Sequence, residues 1–300
     1  MSTSSHNFRG LADQTYIMDG GLETTLIFEH GYDLPEFAAF PLLDQQKGRD
    51  ILKDYYLRYI DVARKNRFGF ILEGPTYRAS SSWGEKLGYD NVELKRINTA
   101  AITLLTDLKN SFADDKNPML ISGCIGPQGD GYQIDHKLTP TEAEAYHGVQ
   151  IGTFKKAGAE IVSAYTINYV EEAIGIAWAA LSQGIPAVIS FTVETDGRLP
   201  SGQPLGEAIT RVDAETDGGP AYYMINCAHP SHFKHILTSD QDWLGRIRAV
   251  RANASKKSHA ELDDCEELDR GNLTEFGEDN VDLTHFLPNL HIFGGCCGTD

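Results

Sequence analysis

The sequence has 300 residues, of which 41% are hydrophobic and 23% are charged, and its formal net charge at pH 7 is −17. This composition is typical of a globular chain long enough for one large domain. The negative charge argues against a nucleic-acid partner, because binding to phosphates needs a basic surface. The N-terminus lacks the apolar core of a signal peptide, and no run of about 18 apolar residues predicts a membrane span. We therefore expect a cytoplasmic protein without nucleic-acid or membrane partners.

Short apolar runs alternate with longer amphipathic stretches along the chain. The runs that predict strands are 16–18, 68–72, 119–122, 161–164, 187–191, 222–225, 246–250 and 290–293. The stretches long enough for crossover helices include 49–65, 92–108, 141–157 and 170–183. Eight strands with intervening helices in a chain of this length predict a (β/α)₈ TIM barrel, an α/β fold with a parallel eight-stranded sheet.

A doubly wound open sheet is the competing fold. It usually carries a phosphate-binding turn with G-x-G-x-x-G spacing after the first strand. The motif D-G-G-L-E-T follows that strand here, at residues 19–24, and lacks the spacing. The sequence therefore favours the barrel, and we interpret residues 1–300 as one domain.

The segment 255–285 interrupts the alternation. Between His259 and Asp282 there are ten acidic residues and one basic residue, Arg270. Such a charge run cannot build a core, and the D-x-D-x-D-G spacing of a calcium-binding loop is absent. We predict an acidic, irregular insertion in place of a regular seventh crossover.

Three of the five cysteines lie where strands end. Five cysteines are too sparse for a disulfide-stabilised scaffold, so we expect reduced thiols. Cys227 follows one predicted strand, and Cys296 and Cys297 follow the last one within Gly-Gly-Cys-Cys-Gly. The carboxyl ends of barrel strands converge on one face. Three thiolates there can bind Zn²⁺ and leave a fourth position open for substrate.

Other interpretations of the cysteines stay open at this point. A fourth ligand such as His229 would close the site and make the metal structural, or the cysteines are buried without a metal. Cys227 with His229 or His232 could form the nucleophile and base of a hydrolase, although the adjacent cysteine pair would then be unexplained. Cys124 is predicted to be a small buried residue.

Several motifs resemble those of the homocysteine S-methyltransferase family, and the resemblance covers nearly the whole chain. They are Asp19-Gly20-Gly21, Thr76-Tyr77-Arg78-Ala79-Ser80, Gly126-Pro127, Leu138-Thr139, Gly158-Ala159-Glu160, Ser190-Phe191-Thr192, Gly202-Gln203-Pro204-Leu205, Asn226-Cys227 and Gly294-Gly295-Cys296-Cys297-Gly298-Thr299. The last two are specific to the family. It includes betaine- and S-methylmethionine-dependent enzymes and the homocysteine module of methionine synthase.

The resemblance implies a zinc-dependent S-methyltransferase in which Cys227, Cys296 and Cys297 bind the metal and act in catalysis through it. A thiol bound to zinc loses its proton at neutral pH, so homocysteine becomes the methyl acceptor and methionine the product. The residues expected to bind substrate are Asp19, Gly20, Gly21, Thr76, Tyr77, Thr166 and Asn226. Asp19 is expected to hold the substrate ammonium group together with backbone groups of the two glycines, or else only to cap its turn.

The methyl donor is expected to be a small sulfonium or ammonium compound, with S-methylmethionine as the leading candidate. Tyr32, Tyr77, Trp83 and Tyr132 could surround such a cation, although scattered aromatic residues more often serve packing.

Two features depart from the family pattern. Where the family usually carries an ammonium-binding glutamate, this chain has Tyr165, and a neutral phenol cannot replace a carboxylate as a charge partner. Either Glu23 or Glu73 compensates, or the acceptor is not homocysteine, or the barrel binds zinc or a thiol metabolite with catalysis altered or lost. Arg78 also replaces an uncharged residue of several relatives, which favours a carboxylate-bearing ligand.

The second departure is the chain end at Asp300, where relatives continue into a last helix. A missing or shortened final helix would expose apolar surface that promotes association. We therefore predict a homo-oligomer such as a dimer, or reduced stability.

Overall fold

Eight parallel strands form a closed barrel in the computed structural model, which describes residue 11 and residues 14–238, 241–263 and 267–299. The strands are β1 Tyr16–Ile17, β2 Gly69–Glu73, β3 Met119–Ile125, β4 Ile161–Ile167, β5 Ala187–Phe191, β6 Tyr222–Asn226, β7 Ile247–Ala252 and β8 Ile292–Gly295. They pair in chain order, and β1 closes the ring by pairing with both β2 and β8. The predicted TIM barrel is therefore confirmed.

Six longer helices surround the barrel. They are α1 Gln46–Asn66, α2 Asn91–Phe112, α3 Pro140–Ala157, α4 Val170–Gln183, α5 Leu205–Thr216 and α6 Leu273–Asp282. Shorter α-helical segments are Leu22–Thr24, Ser81–Lys86, Pro230–Phe233 and His259–Asp263. Local sequence explains several boundaries: α2 and α3 begin at capping boxes on Asp90 and Thr139, and α3 and α4 end at Gly158 and Gly184 in the left-handed conformation. None of the described helices is both long and apolar enough to cross a bilayer.

The inside of the barrel changes from apolar to polar along the strands. Ile71, Met224 and Ala249 belong to a buried apolar cluster inside the ring. Side chains two positions apart on a strand lie on the same side, so the next inward residues are Glu73, Asn226 and Arg251. All three are buried. Polar and charged groups therefore collect at the carboxyl end of the barrel, where TIM-barrel sites form.

The acidic segment 255–285 is more regular than the sequence suggested. It contains the short helix His259–Asp263 and the ten-residue helix α6. The start of α6 is stabilised because the Asn272 side chain accepts hydrogen bonds from Thr274 and Glu275 N–H groups, and the acidic Glu275 lies in the first turn. The one-domain interpretation, the shortened final helix and the oligomer stay predictions.

Candidate active site

A cavity of about 480 Å³ opens at the carboxyl ends of the strands. Nine of the predicted site residues border it: Asp19, Gly20, Gly21, Tyr77, Thr166, Asn226, Cys227, Cys296 and Cys297. Thr76 does not, because its hydroxyl is fully buried and donates to the carbonyl of Cys124 at 2.8 Å. The cavity thus gathers residues from distant parts of the chain, as predicted for strand ends that converge.

The three cysteine thiols of the candidate site form one cluster. The Sγ atoms of Cys227 and Cys296 lie 2.6 Å apart, and Cys297 and Tyr132 also hydrogen bond to the Cys227 side chain. Hydrogen bonds from Cys296 and Cys297 hold the pKa of Cys227 well below that of a free thiol despite its burial. Hydrogen bonding to Cys227 and burial raise the pKa of Cys296. The three thiols therefore lose their protons as one interacting group and not as independent side chains.

Cys227 lies in a strained backbone conformation. Thr166, in β4, and Cys227, directly after β6, both have φ in the left-handed region, at 57° and 54°. Non-glycine residues adopt this conformation at a cost of about 1–3 kcal/mol, so surrounding contacts must enforce it. The Asn226 side chain supplies them: it accepts from Thr166 N (2.9 Å) and Ser190 Oγ (2.5 Å), and donates to Thr166 Oγ1 (2.9 Å) and Cys227 Sγ (3.1 Å). The Cys227 thiol, directly after β6, is therefore held in one geometry.

A second asparagine connects the two cysteine loops. Asn253 Nδ2 donates to the carbonyl of Cys227 at 3.1 Å, and Asn253 Oδ1 accepts from Cys297 N at 3.2 Å. The ring of His259 also lies 2.8 Å from the Cys227 carbonyl oxygen and stacks on Tyr132, with ring centroids 4.0 Å apart. These contacts hold the backbone of Cys227 and Cys297, whereas Asn226 holds the Cys227 thiol.

The three cysteine sulfurs are suitable zinc ligands, but two of them lie closer together than they would around a bound zinc ion. Thiolates are preferred zinc ligands, and two sulfurs bound tetrahedrally at about 2.3 Å lie about 3.8 Å apart. The 2.6 Å separation of Cys227 and Cys296 would have to widen by about 1 Å. Among the described residues, no group of three or more His, Cys, Asp or Glu side chains is already spaced for a metal ion. The residues therefore fit zinc by donor chemistry and by convergence, after a small adjustment of side chains.

An ion pair crosses the floor of the cavity. Arg251 Nη2 lies 2.7 Å from Asp19 Oδ1, and Arg251 Nε donates to the Gly295 carbonyl at 2.7 Å. Both charged side chains are at least nine-tenths buried. Burial raises the pKa of Asp19, and the Arg251 charge opposes this rise. The negative charge of Asp19 is thus already paired within the protein.

Comparison with known proteins identifies the family. A family model described as homocysteine S-methyltransferase matches residues 16–300. The chain belongs to this family. It is therefore a methyltransferase enzyme. A sequence search of curated proteins gives no match.

Solved structures similar to this chain include three forms of the homocysteine methyltransferase MmuM from Escherichia coli. The oxidized form is 19% identical with a TM-score of 0.72, and the alignment covers 96% of this chain and 94% of that chain. The metallated form is 16% identical with a TM-score of 0.68, covering 95% and 92%. The apo form is 16% identical with a TM-score of 0.62, covering 97% and 93%. At these identities the likeness shows the fold alone.

Tyr165 lies where the resemblance to the family led us to expect a glutamate, and the structure places an acid beside it. The Tyr165 hydroxyl donates to Glu73 Oε1 at 2.7 Å, and Ser163 Oγ donates to the same oxygen at 3.1 Å. Burial raises the pKa of Glu73 to about 7, against the opposing effects of the Tyr165 hydrogen bond and the Arg251 charge. Glu73 and Glu23, the two acids considered as replacements, both border the cavity.

Of the four aromatic residues considered for the donor, Tyr77 and Tyr132 border the cavity, whereas Tyr32 and Trp83 do not. Trp83 instead stacks under the guanidinium of Arg78, whose Cζ is 3.5 Å from a ring centroid of the indole. Arg78 itself is 8% exposed and borders the cavity. The structure therefore presents a buried cation, held by an aromatic ring, where a carboxylate-bearing ligand was expected.

The alternative roles of the histidines receive no support from the geometry. His229 borders a different cavity with Lys256 and Glu275, and its Nδ1 is 2.9 Å from Ser231 Oγ. His232 Nε2 lies 2.9 Å from the Lys256 carbonyl. Within the described part of the chain, no imidazole hydrogen bonds to the Cys227 sulfur. Neither a closed His229 site nor a cysteine–histidine dyad is therefore present.

Sequence reasoning missed three residues that shape the site: Arg251, Asn253 and His259. The first two lie at and just after the end of β7, whose only predicted feature was an apolar run. Counting inward positions every second residue from Ala249 would have pointed to Arg251 and then Asn253. His259 had no comparable signal, because it lies in the acidic segment.

Proposed function

We propose that the protein is a zinc-dependent S-methyltransferase that moves a methyl group from a small sulfonium or ammonium donor to the thiol of homocysteine, giving methionine. The observation that carries the proposal is the convergence of Cys227, Cys296 and Cys297 in one cavity of a chain that belongs to this family. A cavity of about 480 Å³ is within the usual range for small-molecule sites.

Zinc held by the three cysteines would lower the pKa of the substrate thiol, so that the thiolate is present at neutral pH. Asn226 and Tyr132 hydrogen bond to Cys227 and so fix its direction. Methyl transfer is then a displacement that depends mainly on how well donor and acceptor are aligned.

S-methylmethionine is the proposed donor. Its α-carboxylate suits Arg78, which has a buried Nε atom without a hydrogen-bond partner. Its sulfonium group suits the aromatic rings of Tyr77 and Tyr132, which border the same cavity. Arg78 already lies 3.7 Å from Asp130 and donates to the Gly129 carbonyl, so the donor carboxylate would be a further partner, through the Nε atom.

The test combines zinc content with methyl transfer to homocysteine from a panel of donors. We expect about one zinc ion per chain, and methionine formed with S-methylmethionine. Cys296→Ser should abolish both zinc binding and turnover. Cys124→Ser is the matched control, because Cys124 borders the same cavity but its thiol lies outside the cluster. Retention of zinc by Cys296→Ser, or equal losses in the two variants, would contradict the proposal.

A second candidate function is a barrel that binds zinc or a thiol metabolite with catalysis altered or lost. The observation that favours it is Tyr165, a neutral side chain at the family's glutamate position. Zinc retained by the wild-type chain, with no donor turned over, would select this alternative.

A further inference from the structure

Glu73 is a buried acid that lacks a partner on one oxygen. It lies at the end of β2, is 3% exposed and borders the cavity with the three cysteines. Its Oε1 accepts the hydrogen bonds of Tyr165 and Ser163, and the Ser122 hydroxyl also interacts with the carboxylate, whereas the Oε2 atom has no partner with hydrogen-bond geometry. A buried oxygen left in this state is unfavourable, so a ligand that pairs with it would be stabilised.

No protein cation contacts this carboxylate. Within the described residues, no nitrogen of Lys, Arg or His lies within 4.0 Å of the Glu73 oxygens, whereas Asp19 is paired with Arg251. Tyr165 and Ser163 donate hydrogen bonds but carry no charge. The cavity therefore has one neutralised acid, Asp19, and one oriented acid, Glu73, that can still receive a cation.

We propose that Glu73 binds the ammonium group of the amino-acid thiol, and that Tyr165 and Ser163 position its carboxylate for this contact. The proposal rests on the proposed function and replaces the family's glutamate on β4 by an acid on β2. Tyr165 is then a positioning residue: its hydroxyl, at the family's glutamate position, directs the carboxylate of Glu73 instead of supplying one.

Glu23 is the competing acid. It also borders the cavity, and burial raises its pKa to about 7, but its side chain is partly exposed and neither Tyr165 nor Ser163 contacts it. An ammonium group gains most from a carboxylate that is already dehydrated and held in place, since little reorganisation accompanies binding. Glu73 meets both conditions.

The consequence is selectivity for thiols that carry an ammonium group. A site that pairs a buried carboxylate with a substrate cation rejects an analogue that lacks the cation, because the carboxylate is then buried and unpaired. The matched pair of ligands is L-homocysteine and 4-mercaptobutanoate, which keeps the thiol and the carboxylate but has no amino group. We expect the wild-type protein to bind homocysteine on the order of 100-fold more tightly.

The test is calorimetric titration of the zinc-loaded protein with these two thiols, without any methyl donor. Glu73→Gln keeps an oxygen that can accept from Tyr165 but removes the charge. We expect it to bind homocysteine on the order of 100-fold more weakly while binding 4-mercaptobutanoate within about threefold of wild type. Tyr165→Phe should lower the preference on the order of tenfold, because Glu73 loses its best-aligned donor.

Glu23→Gln is the control, with the same chemical change at the other cavity acid, and it should keep the wild-type preference. Zinc content and circular dichroism of each variant verify folding. Preserved preference in Glu73→Gln, equal weakening of both thiols, or loss of the preference in Glu23→Gln would overturn the assignment of Glu73. If the wild-type protein binds neither thiol, the proposed function itself fails, and the assignment fails with it.

Discussion

Asn226 is the side chain whose loss should damage the site most. It makes four hydrogen bonds and is 1% exposed. Asn226→Ala leaves the Thr166 N–H buried without an acceptor and releases two residues from a left-handed conformation that only their contacts maintain. Each buried group left unpaired costs about 1–3 kcal/mol, so we expect the free energy of unfolding to fall by about 3–5 kcal/mol.

The same substitution should weaken zinc binding, because Asn226 also donates to the Cys227 sulfur. Partners of metal ligands typically contribute about 10- to 100-fold in affinity. Urea unfolding gives the stability, and competition with a chromogenic chelator gives the zinc affinity.

Asn98→Ala is the matched control. Asn98 is also buried and makes three hydrogen bonds, to Ala79, Leu94 and Gln150, but it lies on α2 and does not border the cavity. It should lose stability while keeping zinc affinity. The reasoning is refuted if Asn226→Ala unfolds at the wild-type urea concentration, or if both variants change zinc affinity equally.

Two further predictions concern buried charges. The pKa of Glu73 is raised from 4.5 to about 7, so the native state holds a proton that the unfolded state releases between these values. The contribution of Glu73 to stability is therefore fully present below pH 4.5 and is lost as pH rises towards and through 7. Glu73→Gln should remove up to about 3 kcal/mol of this fall, measured by urea unfolding at pH 5 and pH 8, and an unchanged slope would contradict the assigned shift. Arg251→Met leaves Asp19 buried without its cation and should cost about 3–5 kcal/mol. Adding Asp19→Asn should restore part of that loss, so equal stability of the single and double variants would count against the ion pair.

The sequence predicted the barrel because its signals are local. Strands buried on both faces read as continuous apolar runs, and all eight predicted runs overlap observed strands. The site cysteines were also predictable, since residues at the carboxyl ends of parallel strands share one face. The overlap is weakest at β8, where the predicted run 290–293 shares only Ile292 and Phe293 with the strand Ile292–Gly295.

The contacts between side chains were not predictable in this way. The hydrogen bond between Tyr165 and Glu73 joins residues 92 positions apart on β4 and β2. Whether these two side chains meet depends on the stagger of the closed barrel, which apolar periodicity does not encode. The sequence therefore predicted that β4 lacks an expected acid, and the structure shows that Glu73 on β2 lies next to Tyr165.

Asn253 couples the movements of the two cysteine loops. Because one amide side chain binds the backbone of both Cys227 and Cys297, neither loop can swing outward without pulling on the other. Loosening should then be all-or-none, with amide protons of both loops exchanging with solvent at the same rate. Release of a metal from such a site would require both loops to open together in one cooperative step.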